Sequence, residues 1–251
     1  MHHPPKCLGQ TVLNAFYYKA LTDAVVIAKR MGWKEASKWK KRAEGLRQAF
    51  HRWFYDEEKK MYLDGLGDPV AERENQPENV PMKHYSRYAN ALAVLYDLCP
   101  PAETVRLVHL VADEKNELPL VQPYFMHFIL QAVCKAGLQE EYGLTLFERW
   151  KPLIKTCSKG LQEGWFAPEP SYSFDHSHAW GGTPAYHIPL MLTGLKMLEP
   201  GFRKISLSPK LYDLTYADVS FPTPYGMLRC VQRKGEEPQI IAPEGLDWSI
   251  I

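Results

Sequence analysis

The sequence lacks the features that mark several classes of protein. It has no apolar run near the roughly 18 residues that a membrane-spanning helix needs. Its first ten residues, MHHPPKCLGQ, contain no apolar core of a secretory signal. The chain as it stands is therefore expected in the cytoplasm, and the compartment of a longer parent protein is left open. The formal net charge is only +1, so neither nucleic acid nor an anionic membrane is an expected partner.

Cysteine is scarce and follows no recognisable pattern. The five cysteines are widely separated, and none forms a CxxC pair. This pattern predicts buried, reduced thiols and argues against a disulfide framework or a zinc site. No metal and no cofactor are expected, because the Asp and His residues of the stretch DHSH lack a third strong ligand at a fixed spacing. The GxSxG motif of a serine nucleophile is also missing.

Several long segments of the sequence have the apolar spacing of amphipathic helices. Apolar residues recur at three- and four-residue spacing from Thr11 to Met31, and Gly32 provides the expected end. Further helices are predicted over residues 34–53, 84–98, 101–111, 122–136, 140–157 and 185–198. The segment 54–65 is predicted to be a tight turn between short extended arms. From residue 201 onward, apolar and polar residues alternate between Pro and Gly, which predicts short β-strands.

This order of elements predicts a mainly α-helical fold. Helix pairs joined alternately by short and long connections indicate an α/α toroid, and the strands indicate a small antiparallel β-sandwich-like domain after it. The predicted division places the toroid in residues 1–200 and the β-domain in residues 201–251. Since about seven helices are fewer than a full toroid commonly contains, we expect an incomplete ring.

A long irregular loop, residues 160–184, is the strongest candidate for a functional site. It reads GLQEGWFAPEPSYSFDHSHAWGGTP and interleaves acid and base side chains with aromatic rings. Such rings stack on sugars, and carboxylates and imidazoles bind their hydroxyl groups. Glu163 is the candidate catalytic carboxylate, because the neighbouring Trp165 could raise its pKa. The alternative is an ordinary exposed loop glutamate.

Two other groups of polar residues are weaker candidates. Asp175, His178 and Trp180 could bind a polyol, or they could belong to a loop with only capping and packing roles. His84 lies at the start of a predicted helix and could face a cleft, while Ser86 could be a simple N-cap. The aspartate of MYLDG, Asp64, is assigned to turn formation.

Four motifs in the sequence resemble those of the α-L-rhamnosidases of glycoside hydrolase family 78. HYSRYANALAV is similar to the His-x-Ser-x-x-Ala-Asn stretch that opens one barrel helix of that family. GLQEGW is similar to its Gly-x-x-x-(Trp/Met)-Glu loop, and DHSHAWGGTP to its (Asn/Ser)-x-His-Ala-Trp-(Gly/Ser)-Ala-x-Pro segment. LEPGFRKISLSP and FPTPYGML resemble turns of its C-terminal β-sandwich. The resemblance covers nearly the whole chain and implies a six-hairpin glycosidase fold.

The resemblance also implies a reaction and a set of site residues. The family consists of inverting glycosidases that release terminal α-L-rhamnose from glycans or glycosides, and the match assigns the general base to Glu163. Inversion uses a second carboxyl group as the general acid. The substrate-binding residues on this basis are His178, Trp180, Trp165, Asp175 and His84.

One departure from the family pattern leaves alternatives open. The general acid of the family lies in a segment of the kind Asp-x-x-x-Arg-x-Glu-x-x-Gly-Trp-x-Gly-Asp, and this sequence contains no such segment. We therefore expect the general-base half of a site, with an upstream domain or chain completing the barrel. The alternatives are a non-catalytic remnant that binds carbohydrate or packs against another chain, and a different α/α-toroid glycosidase or lyase.

Overall fold

The computed structural model describes residues 7–69, 83–156, 160–165 and 177–251. These residues form two compact units, each built from separate stretches of the chain. The first unit is Met1–Gly137 with Glu163–Phe174, and the second is Leu138–Gln162 with Asp175–Ile251, each as far as its residues are described. The chain therefore crosses from the second unit back to the first between Gln162 and Glu163.

A helical hairpin opens the first unit. Helix α1 spans Thr11–Met31, the bounds that its apolar spacing predicts, and α2 spans Ala36–Phe54. Gly32 ends α1 in the left-handed conformation (φ 69°), which a glycine adopts without steric cost. The two helices pack together. Their buried apolar side chains are Ala15, Leu21, Val25 and Ala28 of α1, and Ala36, Ala43, Phe50 and Phe54 of α2.

Short strands lie on both sides of the hairpin in the sequence, and two of them form the turn with extended arms predicted over residues 54–65. Strand β1 (Cys7–Gln10) pairs antiparallel with β4 (Gly65–Pro69). Strand β2 (Tyr55–Asp56) pairs antiparallel with β3 (Met61–Tyr62). Tyr62 is completely buried and packs its ring against Phe50 of α2, with the ring centroids 5.4 Å apart. The strands are thereby fixed to the helical hairpin.

Three more helices lie in the described part of the first unit, and all three begin later than predicted. Helix α3 spans Arg87–Leu95, α4 spans Thr104–Ala112 and α5 spans Met126–Ala136. The predicted starts were residues 84, 101 and 122, and a 3₁₀ turn at Pro101–Glu103 precedes α4. Residues 84–86 are extended because they pair with the strands, and residues 122–125 form a turn. The three helices pack on one another around Leu92, Leu107, Ile129 and Leu130.

The second unit begins with a helix that is broken where the sequence predicts a continuous one. A π-helical turn at Gln139–Gly143 leads into α6 (Leu144–Phe147), and α7 spans Trp150–Thr156. Pro152 has no backbone N–H to donate to Glu148, so a new helix starts with the proline in its first turn. The prediction of one helix over residues 140–157 is therefore wrong.

Helix α8 and the strands form the rest of the second unit. Helix α8 spans Thr183–Thr193, so the predicted end at residue 198 is wrong. Gly194 stops the helix with a left-handed backbone (φ 58°), and a Cβ there would lie only 2.4 Å from the Ser208 carbonyl oxygen. Residues 196–198 instead belong to β5 (Lys196–Glu199).

Two three-stranded sheets form the C-terminal part of the chain. The first sheet has the order β10 (Asp247–Ile250), β6 (Lys204–Leu207), β5, in which β10 is parallel and β5 antiparallel to β6. The second is an antiparallel sheet of β7 (Tyr216–Thr223), β8 (Gly226–Arg233) and β9 (Gln239–Ile241). Their buried apolar side chains include Ile205, Leu207, Leu228 and Leu246, and Leu192 of α8 packs with Ala217 and Val219.

The mainly helical fold with a small C-terminal β-domain is confirmed. The division at residue 200 stays a prediction. Of the cysteines with described side chains, Cys99 and Cys230 are buried, Cys134 is partly exposed, and all three are free thiols. Within the described ranges, no helix has both the length and the apolar character needed to cross a membrane.

Candidate functional site

A buried carboxylate organises the segment before α3. Asp64, just after β3, is almost inaccessible to solvent. Its Oδ1 accepts a hydrogen bond of 2.5 Å from the Ser86 hydroxyl, and its Oδ2 lies at hydrogen-bonding distance from Nδ1 of His84. The backbone N–H of Asp64 donates to the His84 carbonyl oxygen at 2.9 Å. Because an ionised carboxylate only accepts, Nδ1 of His84 carries the proton in this pair.

A second aspartate holds the same segment from the opposite side. Asp56, at the end of β2, accepts hydrogen bonds from the Tyr85 hydroxyl (2.7 Å) and from the Lys83 ammonium (2.9 Å). Hydrogen bonds from Lys83 and Tyr85 hold the pKa of Asp56 well below its usual value. Burial, together with the bond to Asp56, raises the pKa of the Tyr85 phenol. Successive side chains from Lys83 to Ser86 thus alternate between two carboxylates, as extended backbone requires.

The ring of Trp165 is anchored in the first unit. Its indole N–H donates to the Val121 carbonyl oxygen at 2.6 Å, and its backbone N–H donates to Oε1 of Gln122 at 3.3 Å. The Gln122 backbone in turn forms a hydrogen bond with the Tyr88 phenol. Trp165 and Tyr88 are therefore connected through a single residue.

Tyr88, which contacts this anchor, is also influenced by the charge of the buried aspartate. Its ring packs on Phe125 with centroids 4.2 Å apart. Burial raises the pKa of Tyr88 to about 12; the bond to Gln122 lowers it and the charge of Asp64 raises it further. The phenol is therefore neutral at physiological pH and able to donate. Contacts therefore run from Trp165 through Gln122 to Tyr88, and the charge of Asp64 acts on the Tyr88 phenol.

Glu163 lies two residues before this anchored ring. It is partly exposed, between Gln162 and Gly164, which are both buried. The backbone on the C-terminal side of Glu163 is fixed by the hydrogen bonds of Trp165. A carboxylate in this position is accessible to solvent while its chain is held in place, which is what a catalytic group requires.

The second unit holds two further candidates on one short turn. His178 donates its backbone N–H to the Leu161 carbonyl oxygen at 2.7 Å, and its ring meets that of Trp180 edge-on, with centroids 5.3 Å apart. The turn is supported by Trp150, whose indole N–H donates to the Gly181 carbonyl oxygen at 2.8 Å. A Cβ at Gly181 would approach the Gln162 carbonyl oxygen to 3.0 Å, so glycine permits this close packing. Trp180 itself is 59% exposed.

The structure connects some of the residues predicted for the site and adds others. His84 and Trp165 are held by separate hydrogen bonds in the first unit, His84 to Asp64 and Trp165 to Val121 and Gln122. His178 and Trp180 lie on one turn in the second unit. Asp175 lies outside the described residues. Among the described residues, no group of three His, Cys, Asp or Glu side chains could hold a metal ion.

Sequence reasoning missed the central role of Asp64. A glycine follows this aspartate at the end of a short strand, so turn formation was the simplest interpretation. The structure shows instead that its side chain binds residues 20 and 22 positions later. The available signal was the segment before α3, in which His84 and Ser86 alternate with Lys83 and Tyr85.

Comparisons with protein families match almost the entire chain. Residues 6–191 match the model of the bacterial α-L-rhamnosidase six-hairpin glycosidase domain, and residues 194–238 match that of the bacterial α-L-rhamnosidase C-terminal domain. A comparison with curated proteins gives no match.

Solved structures of rhamnosidases share the fold. A family 78 rhamnosidase of Bacillus sp. GL1 has a TM-score of 0.79 at 21% identity, over 96% of this chain and 26% of its own. The α-L-rhamnosidase of Dictyoglumus thermophilum has a TM-score of 0.74 at 18% identity, over 94% of this chain and 26% of its own. The α-L-rhamnosidase of Aspergillus terreus has a TM-score of 0.70 at 18% identity, over 94% of this chain and 27% of its own. The chain thus spans about a quarter of the length of these proteins.

Proposed function

Because the chain belongs to the bacterial α-L-rhamnosidase six-hairpin glycosidase family, we propose that it takes part in hydrolysing terminal α-L-rhamnosides. The observation that carries this proposal is the family match itself. It extends over residues 6–191 and so includes both the anchored loop around Glu163 and the turn with His178 and Trp180. Its substrate would be a rhamnosyl glycan or glycoside.

We propose Glu163 as the general base of an inverting reaction. In such a reaction one carboxylate activates water, and a carboxylic acid about 6.5–9.5 Å away protonates the leaving oxygen. The partial exposure of Glu163 gives water access to its carboxylate. The hydrogen bonds of Trp165 keep the following backbone in place, which limits the motion of the base. The general acid would be a carboxyl group elsewhere, in this chain or in a domain or chain that completes the barrel.

His84 is proposed to bind a sugar hydroxyl group. Since its Nδ1 donates to Asp64, the neutral ring has its lone pair on Nε2. The side chain is 20% exposed, whereas Asp64 is fully covered. Asp64 is thus proposed as a positioning residue that fixes both the orientation and the tautomer of His84.

The remaining binding residues are proposed from the motif that contains them. The exposed ring of Trp180 offers an apolar face on which a pyranose can stack. His178 lies edge-on to that ring and could bind an adjacent hydroxyl group. Trp165 and Asp175 complete the proposed set, in which Trp165 also supports Glu163.

Carbohydrate binding without hydrolysis is the second candidate function. The observation that favours it is the lack, in this sequence, of the acidic segment that carries the general acid in the family. General acid or base groups typically contribute about 10²–10⁴-fold to a rate. A chain with only the base would therefore retain affinity for rhamnose while hydrolysing its glycosides very slowly.

Hydrolysis of an aryl α-L-rhamnoside by the purified chain separates these functions. We expect turnover that is lost in Glu163→Gln and retained in Glu44→Gln, which changes a glutamate of α2 outside the proposed site. Proton NMR of the first product should show the anomer of inverted configuration. A folded protein without turnover that still binds rhamnose would support the binding function. A protein that neither hydrolyses the glycoside nor binds rhamnose would contradict both.

A further inference from the structure

An open pocket in the C-terminal β-domain shares no residue with the proposed catalytic site. Its volume is about 410 Å³, within the roughly 300–1,000 Å³ that small-molecule sites occupy. One wall comes from the segment between β6 and β7 (residues 209–214), and the other from the end of β8 and the turn after it (residues 232–238). All of these residues belong to the second unit. We call this space the β-domain pocket.

A single carbonyl group holds the two walls in place. The carbonyl oxygen of Leu192, near the end of α8, accepts the backbone N–H of Lys210 at 2.9 Å from one wall and Nε2 of Gln232 at 2.7 Å from the other. The backbone N–H of Lys234 donates to the Thr215 carbonyl oxygen at 3.0 Å, which joins the turn to the end of the first wall. The pocket is therefore held in shape by the protein itself, which reduces the entropy that a ligand loses on binding.

Gln232 places an unused acceptor in the β-domain pocket. The residue is only 3% exposed, and the bond from Nε2 to Leu192 fixes which end of the amide faces the helix. Its Oε1 accepts no hydrogen bond from a described residue, and it is not one of the side-chain atoms sealed from solvent. Since Gln232 lines the pocket, Oε1 is reached from there. A largely buried carbonyl oxygen without a protein partner favours a ligand that donates a hydrogen bond.

The other lining residues combine apolar surface with balanced charge. Leu211, Tyr212 and Leu214 offer hydrocarbon surface. The charged lining residues are Lys210, Arg233, Lys234, Glu236 and Glu237. Lys210 is also paired with Glu140, so little net charge remains. Ammonium groups can donate to hydroxyl oxygens and carboxylates can accept from hydroxyl groups, so this lining suits an uncharged ligand with many hydroxyl groups.

We propose that the β-domain pocket binds a neutral saccharide unit. A pyranose has hydroxyl groups that can donate to Oε1 of Gln232, and it has an apolar face that can pack on Leu211 and Leu214. An anionic ligand fits less well, because it would face Glu236 and Glu237 and could not donate to Oε1. The proposal concerns a second binding site and does not depend on hydrolysis at Glu163.

Nuclear magnetic resonance of the intact, nitrogen-15-labelled chain tests the proposal. The probes are L-rhamnose and the methyl α-glycosides of D-glucose, D-galactose and D-mannose. We expect at least one of them to shift the side-chain amide signal of Gln232 and the backbone amide signal of Gly235, which lines the pocket, in a saturable way. The charged probes glucuronate and glucosamine should bind there more weakly. The indole signal of Trp165 reports separately on the proposed catalytic site.

Three substitutions show whether binding uses the pocket. Leu214→Trp fills part of the pocket from a position that is 38% exposed, so the fold should tolerate it. It should weaken the response of Gly235 at least ~10-fold. Gln232→Met removes the acceptor while keeping the length of the side chain, and it should also weaken this response at least ~10-fold. Ile241→Trp, an equivalent change at an exposed position of β9 outside the pocket, should leave it unchanged. Circular dichroism checks that the variants are folded.

Three outcomes would overturn the proposal. The first is that no neutral sugar shifts the Gln232 and Gly235 signals; if rhamnose then shifts only the Trp165 signal, the proposed function stands without the second site. The second is tighter binding of glucuronate or glucosamine, which would mean that the pocket takes a charged ligand. The third is a folded Leu214→Trp variant that binds the sugar as the original protein does.

Discussion

Replacing Asp64 tests whether this buried carboxylate organises the start of α3. Asp64→Ala leaves the buried Ser86 hydroxyl without its acceptor and removes the partner of His84. Hydrogen bonds to charged groups contribute about 1.5–3 kcal/mol each, and an unsatisfied buried hydroxyl costs about 1–3 kcal/mol. Since such terms are not additive, we expect the free energy of unfolding to fall by roughly 3–5 kcal/mol.

Asp64→Asn should have a smaller and more specific effect. Its carbonyl oxygen can still accept from Ser86, while its amide can only donate toward His84. We expect a loss of roughly 1–2 kcal/mol and a change of the His84 tautomer, because Nδ1 must now accept and the proton moves to Nε2.

Urea denaturation measures the loss in free energy of unfolding, and nitrogen-15 NMR of the histidine ring measures the tautomer of His84. Asp23→Ala is the control, because this exposed aspartate pairs with Lys19 one turn earlier and should contribute only about 0.5 kcal/mol. If Asp64→Ala costs no more than the control, the carboxylate does not organise this segment. If the His84 spectrum is the same in Asp64→Asn as in the original protein, Asp64 does not set its tautomer.

Three further predictions concern single positions in the fold. Gly194→Ala should lower the unfolding midpoint in urea clearly more than Gly32→Ala, because both glycines are left-handed but only a Cβ at residue 194 would meet other atoms. Equal effects would mean that both substitutions cost only the strain of the left-handed backbone, about 1 kcal/mol. Leu92→Ala, at a fully buried position, should lower the free energy of unfolding by about 2–5 kcal/mol. Leu13→Ala, at an exposed position of α1, should change it by no more than about 0.5 kcal/mol; a similar cost for both would show that Leu13 is covered in solution. Because the pKa of Asp56 is lowered in the folded state, its contribution to stability is complete above its ordinary pKa of 3.8 and is lost as the pH falls toward the folded-state value. In urea titrations from pH 7 to pH 2, the free energy of unfolding should therefore fall less in acid for Asp56→Asn than for the original protein. An unchanged acid dependence would argue against the ion pair with Lys83.

Local patterns predicted the helices whose ends are set by the chain itself. Helix α1 has its predicted bounds because its apolar spacing is regular and Gly32 stops it. The start of α3 was missed because residues 84–86 are extended and held by hydrogen bonds to Asp64 and by a bridge between Tyr85 and Leu63. The extended conformation depends on residues about 20 positions earlier in the sequence, which apolar periodicity cannot reveal.

The candidate site shows the same limit. Glu163, His178 and Trp180 were predicted because a loop rich in aromatic and ionisable residues is distinctive by composition. Gln122 and Tyr88 were not, because nothing in their neighbouring sequence indicates that one would anchor Trp165 and the other would face a buried charge. In both cases the two residues are far apart in the chain.

The return of the chain to the first unit at Glu163 restricts how the molecule can be divided. A fragment ending at Gly137 would contain every described helix of the first unit but would lack Trp165, leaving the carbonyl of the buried Val121 without its indole donor. Neither unit is a single continuous piece of sequence, so no one cut yields either of them intact. An excised first unit would need its missing loop joined on through an artificial linker, and the molecule is best engineered as a whole.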